Sequence, residues 1–261
     1  MKKIFIKVLI GLILGFTILN GSSSIEAKTS VNTINNQIQN SNYEETTQLI
    51  TEQTQEEILE GQNKMKLAEE YSTQKKLSKN YGTLKTLSSY KTAVQEQGHW
   101  CGPAAAYNAT NAAANQLGFA NFLGTSKTNG TPFPGSWAST LNFTKPGNNY
   151  VAIKASDYSD WRAKLKDAII YTIDKGYAVI ADCLIKSNDS STWIHSNYSY
   201  VGNRGYDCYH YVAVVGYDDN PNTIPAEVLI VDSNTNQTLP IKYWTTVDKL
   251  KAATESLGIV W

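Results

Sequence analysis

The chain carries no surplus of either charge, with 23 lysines and arginines against 23 acids, and it gathers its basic residues into no stripe. Nucleic acid is therefore a poor partner, because affinity for a phosphate backbone rests on clustered cations. No sustained basic amphipathic helix is present either, which argues against a membrane-surface role. No wall-binding repeat is legible. Cysteine and histidine are scarce, at three residues each. Only one long apolar run exists, Val8 to Leu19, and no cysteine lies near its end, so a lipid-anchored lipoprotein is not expected.

What is there begins with that run. Met1-Lys2-Lys3, with Lys7, precedes it, and the small polar stretch Ser22 to Ala27 follows. A basic start, an apolar core and a small-residue exit describe a secretory signal peptide, with Ala27 as its expected last residue. The run is short for a membrane span of ~20 residues and contains Gly11 and Gly15, so cleavage and export are expected rather than stable insertion. A lysine-rich start and an Asn/Thr-rich body point to a bacterial secreted protein, with association with the cell wall left open.

Residues 28–89 are polar and poor in large apolar side chains. A weak helical pattern runs from Glu44 to Leu77 through Leu49, Ile50, Ile58, Leu59, Met65 and Leu67. The segment cannot build a core alone, and reads as a linker, a propeptide or a helical arm that docks elsewhere. Residues 90–261 suit one domain of ordinary size. Gly102–Leu117 predicts a helix stopped by Gly118, and Gly124–Gly135 a loop. Ser136 predicts the cap of a short helix carrying Trp137 and Leu141. Trp161–Lys175 is the strongest amphipathic helix: Trp161, Leu165, Ala168, Ile169 and Ile173 share a face. Strands are predicted at 177–185, 209–217, 227–232 and 240–244. A helix capped by Thr246 should follow, and residues 259–261 should close the sheet. Helices first and strands later predict an α+β domain with an antiparallel sheet.

The chemistry concentrates in Gln95-Glu96-Gln97-Gly98-His99-Trp100-Cys101-Gly102-Pro103-Ala104. An ordinary thiol, near pKa ~8.5, is mostly protonated at neutral pH and needs help to become a nucleophile. A helix N-terminus supplies part of that help through its free amides and dipole. An upstream glutamine can donate to the oxyanion formed when a carbonyl is attacked. The missing base has one well-placed candidate, His210, in Tyr209-His210-Tyr211-Val212-Ala213-Val214-Val215-Gly216-Tyr217-Asp218.

Gln-x5-Cys-Gly-Pro-Ala opening a helix, then the His210 strand, then Val228-Leu229-Ile230-Val231-Asp232, resembles the C39-like cysteine peptidases of the papain-like superfamily. The resemblance covers residues 90–261 and implies a helical layer packed on a C-terminal sheet. It implies Cys101 as nucleophile, His210 as general base, Asp232 as the group that orients the imidazole, and Gln95 with the Cys101 amide as the oxyanion hole. It also implies a peptide or protein substrate, hydrolysis through a thioester and no cofactor. Gln97 and Asn234 remain alternatives to Gln95 and Asp232. A peptidoglycan amidase, an acyl-transfer enzyme and a non-catalytic binding or adhesion module stay open as rivals on the same scaffold. Residues 28–89 would then be an intramolecular propeptide partner.

Other residues have competing readings. Cys183 and Cys208 could meet across neighbouring strands as a disulfide, or pack as separate small hydrophobes. His99-x-Cys101 with Cys208-x-His210 offers four zinc-type ligands, but at closer spacings than zinc sites use, so no metal is expected. His195 reads as a surface residue. Gly130–Gly135 and Ser187–Ser191 read as ordinary loops that could border a cleft.

Overall fold

A computed structural model describes residues 48–78, 82–220 and 227–261. The expected signal peptide and the first part of the polar segment lie outside the described residues. Within the described residues, seven strands pair throughout in antiparallel fashion: β1 (Leu84–Thr86), β2 (Ala152–Lys154), β3 (Val179–Ile185), β4 (Cys208–Asp218), β5 (Glu227–Asp232), β6 (Lys242–Thr246) and β7 (Gly258–Val260). The order is β2-β7-β3-β4-β5-β6, with β1 added to the far end of β4. β3, β4 and β5 are apolar along nearly their whole length and buried, as expected of central strands covered on both faces. Among the described residues, seven α-helices surround them: α1 (Gln55–Leu77), α2 (Cys101–Ala109), α3 (Gln116–Leu123), α4 (Trp137–Thr144), α5 (Trp161–Asp174), α6 (Ser199–Arg204) and α7 (Val247–Thr254). The architecture is the expected α+β class.

The amphipathic reading of α5 holds residue by residue, because Trp161, Leu165, Ala168, Ile169 and Ile173 are all buried. Asp160 caps it through the Ala163 amide, and Thr246 caps α7 through the Lys249 amide. Ser136 stands at the N-cap of α4 without a side-chain cap bond.

The single helix expected over Gly102–Leu117 is two. The chain breaks at Asn111 and Ala112, both at positive φ. Asn115 then restarts it by accepting from the Gly118 amide at 2.7 Å. Gly118 therefore lies in the first turn of α3, and the stop is Gly124 in left-handed conformation. The alanine run Ala112-Ala113-Ala114 hid this break. Alanine favours helix, but the Asn115 cap and a Thr110 hydroxyl that donates to the Ala106 carbonyl at 2.8 Å and accepts from the Ala113 amide at 3.3 Å outcompete it.

Helix α1 opens with a capping box: Thr54 accepts from the Glu57 amide, and Glu57 accepts from the Thr54 amide. It docks through Gly61, Lys64, Met65, Ala68 and Ser72 rather than through its leucines. Leu59 and Leu67 are exposed. The buried stripe has helical spacing but little apolar character, so hydropathy alone understated it. Lys64 donates to the Trp261 carbonyl at 2.6 Å and to the Asn149 carbonyl at 3.0 Å. Burial, reinforced by Lys175, lowers its pKa to about 7.

β7 passes so close to β2 that a Cβ on Gly258 would lie 2.0 Å from the Ile153 carbonyl oxygen. Backbone cannot give way there as a flexible side chain would. Gly258→Ala is expected to destabilise the protein by about 1–3 kcal/mol, read as a lowered urea midpoint. An unchanged midpoint would show that the β2–β7 edge moves freely.

Candidate active site

Cys101 opens α2, where helix geometry leaves the first amides without intrahelical partners. Pro103 fits that first turn, having no amide to leave unpaired. Gly102 is demanded by crowding: a Cβ there would sit 2.3 Å from the Thr131 hydroxyl oxygen. The helix mouth and the 129–133 loop are therefore pressed together beside the sulfur. His210 reaches the same place from β4, close enough for the Cys101 sulfur to act on its ring. Cys101, His210 and Gln95 line one cleft, with Gly130 and Thr131 contributing a wall. Loop residues 187–191 are not part of that lining.

The far side of the imidazole is fixed. His210 Nε2 lies 2.8 Å from Asp232 Oδ1 across neighbouring strands, so Nδ1 is left for the sulfur. Asp232, at the end of β5, accepts three further hydrogen bonds: Asn234 amide at 2.9 Å, Tyr198 hydroxyl at 2.8 Å and Tyr243 hydroxyl at 2.7 Å. Burial alone would raise its pKa, but the His210 charge and these donors hold it below the usual carboxylate range. Burial would lower the imidazole's pKa, yet Asp232 and Cys101 raise it to about 10. At neutral pH the ring is an imidazolium between an acid and a sulfur. Asn234 Nδ2 donates to the Tyr200 hydroxyl at 2.8 Å, and its oxygen accepts from the Asn236 amide. Asp232, not Asn234, holds the ring.

Gln95 is buried and lines the cleft, whereas Gln97 is exposed. The Gln95 amide nitrogen donates to the carbonyls of Gln97 at 3.0 Å and Gly98 at 2.6 Å. It does not point at the sulfur as an oxyanion donor would, because the turn before Cys101 offers these acceptors first. The loop carrying Gln95 has no ladder of its own. Its backbone is satisfied by two buried amide side chains: Asn108 pairs with Ala93 in both directions at 2.8 and 3.0 Å, and Gln116 bridges the Glu96 amide and the Val94 carbonyl at 2.9 and 2.8 Å. The Gln95 amide also ties to the Ser233 carbonyl at 2.9 Å, one residue past Asp232.

Three contributors were not singled out from sequence. Tyr198 and Tyr243 come from separate elements and carry no motif. Gln48 enters the cleft from the polar segment before α1. Cys183 faces His210 in register on β3, and Cys208 pairs opposite Ile185, two residues away from Cys183's partner. All three cysteines are free thiols. Desolvation raises the Cys183 thiol well above its ordinary value, and desolvation with the nearby Cys101 pushes Cys208 to about 12. His195 accepts from the Asn197 amide and packs its ring at a tilt against Tyr243, behind Asp232. Among the described residues, no group of three or more histidines, cysteines or acids is arranged to hold a metal.

Residues 87–257 match the model of a family described as the Peptidase_C39 like family. No curated protein and no solved structure matches the chain.

Proposed function

Because the chain belongs to the Peptidase_C39-like family, we propose that it is a cysteine peptidase that cleaves peptide bonds through a thioester on Cys101. The observation that supports this reading best is the meeting of Cys101 and His210 in one cleft, with His210 bonded to a four-fold hydrogen-bonded Asp232. A sulfur deprotonated by the neighbouring ring attacks the substrate carbonyl, and His210 returns the proton to the leaving amine. Water, deprotonated by the same ring, then releases the acyl group. The developing oxyanion is met by the Cys101 amide at the helix mouth and by Gln95, which turns one amide hydrogen from the Gly98 carbonyl to the reacting oxygen. Asp232 keeps the ring oriented throughout.

The reading extends to location: residues 1–27 export the protein and are removed, residues 28–89 act as a propeptide or linker, and residues 90–261 carry out catalysis outside the cell. The substrate is a peptide or protein.

Reaction of the full chain with iodoacetamide at pH 7, followed by peptide mass spectrometry, tests the nucleophile. Cys101 should be modified at least tenfold faster than Cys183 or Cys208, whose raised pKa values keep them as thiols. Comparable rates at all three would leave a binding module as the better description.

A further inference from the structure

Behind the cleft, in contact with two of its lining residues, Gln48 directly and Tyr211 across the strand pair, lies a group that peptide hydrolysis by Cys101 and His210 leaves unexplained. Asp182 sits in the middle of β3, wholly buried, in a strand otherwise made of apolar and thiol side chains. Such a carboxyl is a poor stabilising element, since an apolar residue of similar size would avoid its desolvation. Its Oδ2 accepts a hydrogen bond from Gln48 Nε2 at 2.7 Å, and its Oδ1 has no partner.

Tyr211 is the direct cross-strand partner of Asp182, so both side chains stand on one face of the sheet. The Tyr211 hydroxyl donates to the Thr131 carbonyl at 3.1 Å. Its hydrogen is thus committed, and toward the cleft it can only accept. Gln48 Nε2 supplies that donor too, at 2.7 Å. Two buried acceptors therefore converge on one amide nitrogen, in a cleft that Gln48 shares with Cys101 and His210.

The backbone that follows Gln48 is bound as a peptide ligand would be. Leu49 and Thr51 donate to the carbonyls of Asn129 and Phe133, and Phe133 donates back to the Leu49 carbonyl at 3.0 Å. Ile50 pairs with Phe133 as a parallel bridge. The side chains of Leu49 and Ile50 are about half exposed and anchor little. Main-chain hydrogen bonds along an edge and one side chain in a pocket are the elements of extended-peptide recognition.

We propose that Asp182 and Tyr211 form a specificity subsite for the glutamine side chain of a peptide substrate, and that the chain's own Gln48 fills it in the manner of such a substrate. The inference rests on the reading of Cys101 as the nucleophile. Burial raises the Asp182 pKa to about 8, against the Gln48 hydrogen bond and the His210 charge. At neutral pH the acid is mostly uncharged, which suits an amide better than a lysine ammonium. A subsite built on two acceptors also rejects leucine, which would leave both unpaired.

The test uses the full chain and its Gln48→Ala variant. Tripeptidyl acyloxymethyl ketones carry Gln, Leu or Lys at each position in turn, and the rate of Cys101 modification is read by mass spectrometry. Gln48→Ala should raise the rate with the glutamine probe about tenfold over the unaltered chain. Within Gln48→Ala, glutamine should outpace leucine at one position by tenfold or more. Asp182→Leu, and separately Tyr211→Phe, made in that background should narrow the gap. Iodoacetamide, too small to need a subsite, reports on the thiol alone. Cys101 reactive to iodoacetamide but indifferent between glutamine and leucine, or fastest with lysine, overturns the subsite and leaves the peptidase reading intact. Cys101 inert to iodoacetamide overturns the peptidase reading, and the subsite falls with it.

Discussion

His210→Ala is expected to lower kcat/KM for peptide hydrolysis by about 10²–10⁴, the usual contribution of a positioned acid–base group. The ring serves twice, taking the thiol proton and protonating the leaving amine, and no second histidine can replace it. His195 is turned to the Asn197 amide behind Asp232, and His99 meets Trp100 edge to face, its pKa lowered by burial and Lys127. The substitution also removes one of four hydrogen bonds to Asp232, so some stability is lost. A thermal melt recorded beside the kinetics separates the two effects, because a protein still folded at assay temperature cannot lose a hundredfold in rate through unfolding alone. Iodoacetamide modification of Cys101 should slow in parallel. Hydrolysis within tenfold of the unaltered protein would remove His210 from the mechanism.

The long, strongly patterned elements were legible in the sequence because one physical signal dominated each. The predicted bounds match the ends of β5 and come within one residue of those of α5, since a continuous apolar run in the one and helical spacing of apolar residues in the other coincide with burial. β1 and β2 were missed. At three residues each they carry no period, and they exist because β4 and β7 offer them an edge. The motif residues around Cys101 and His210 could be named because their spacing on one chain is itself the signal. The supports of Asp232 could not. Tyr198 and Tyr243 meet it only through the fold, and sixteen tyrosines offer no way to choose two. Asn108 and Gln116, which hold the Gln95 loop, look in sequence like ordinary polar helix residues. Gln48 was hidden differently: in a stretch rich in glutamine, only its burial against Asp182 and Tyr211 distinguishes it.

Asp232 is where fold and chemistry are least separable, and two substitutions pull them apart. Asp232→Ala strands four buried donors, the His210 ring, the Asn234 amide and the Tyr198 and Tyr243 hydroxyls, and should cost about 3–5 kcal/mol of stability. Asp232→Asn keeps the shape and an acceptor while removing the charge, so it should fold yet lose about 10²–10⁴ in kcat/KM as the imidazolium loses its counter-charge. The same charge sets a pH signature. The lowered pKa of Asp232 contributes stability that is present above about pH 4, the unfolded value, and is lost as pH falls through the folded one. The raised pKa of His210 contributes stability that is complete below about pH 6.5 and is lost as pH rises through about 10. The stability difference between the unaltered protein and Asp232→Asn should therefore be widest between those unfolded values and narrow on both sides. Asp182, whose raised pKa removes stability as pH rises toward about 8, is common to both proteins and drops out of that difference. Urea titrations of the pair from pH 3 to pH 10 measure it, and a gap that stays constant across the range would mean that His210 and Asp232 do not share a charge.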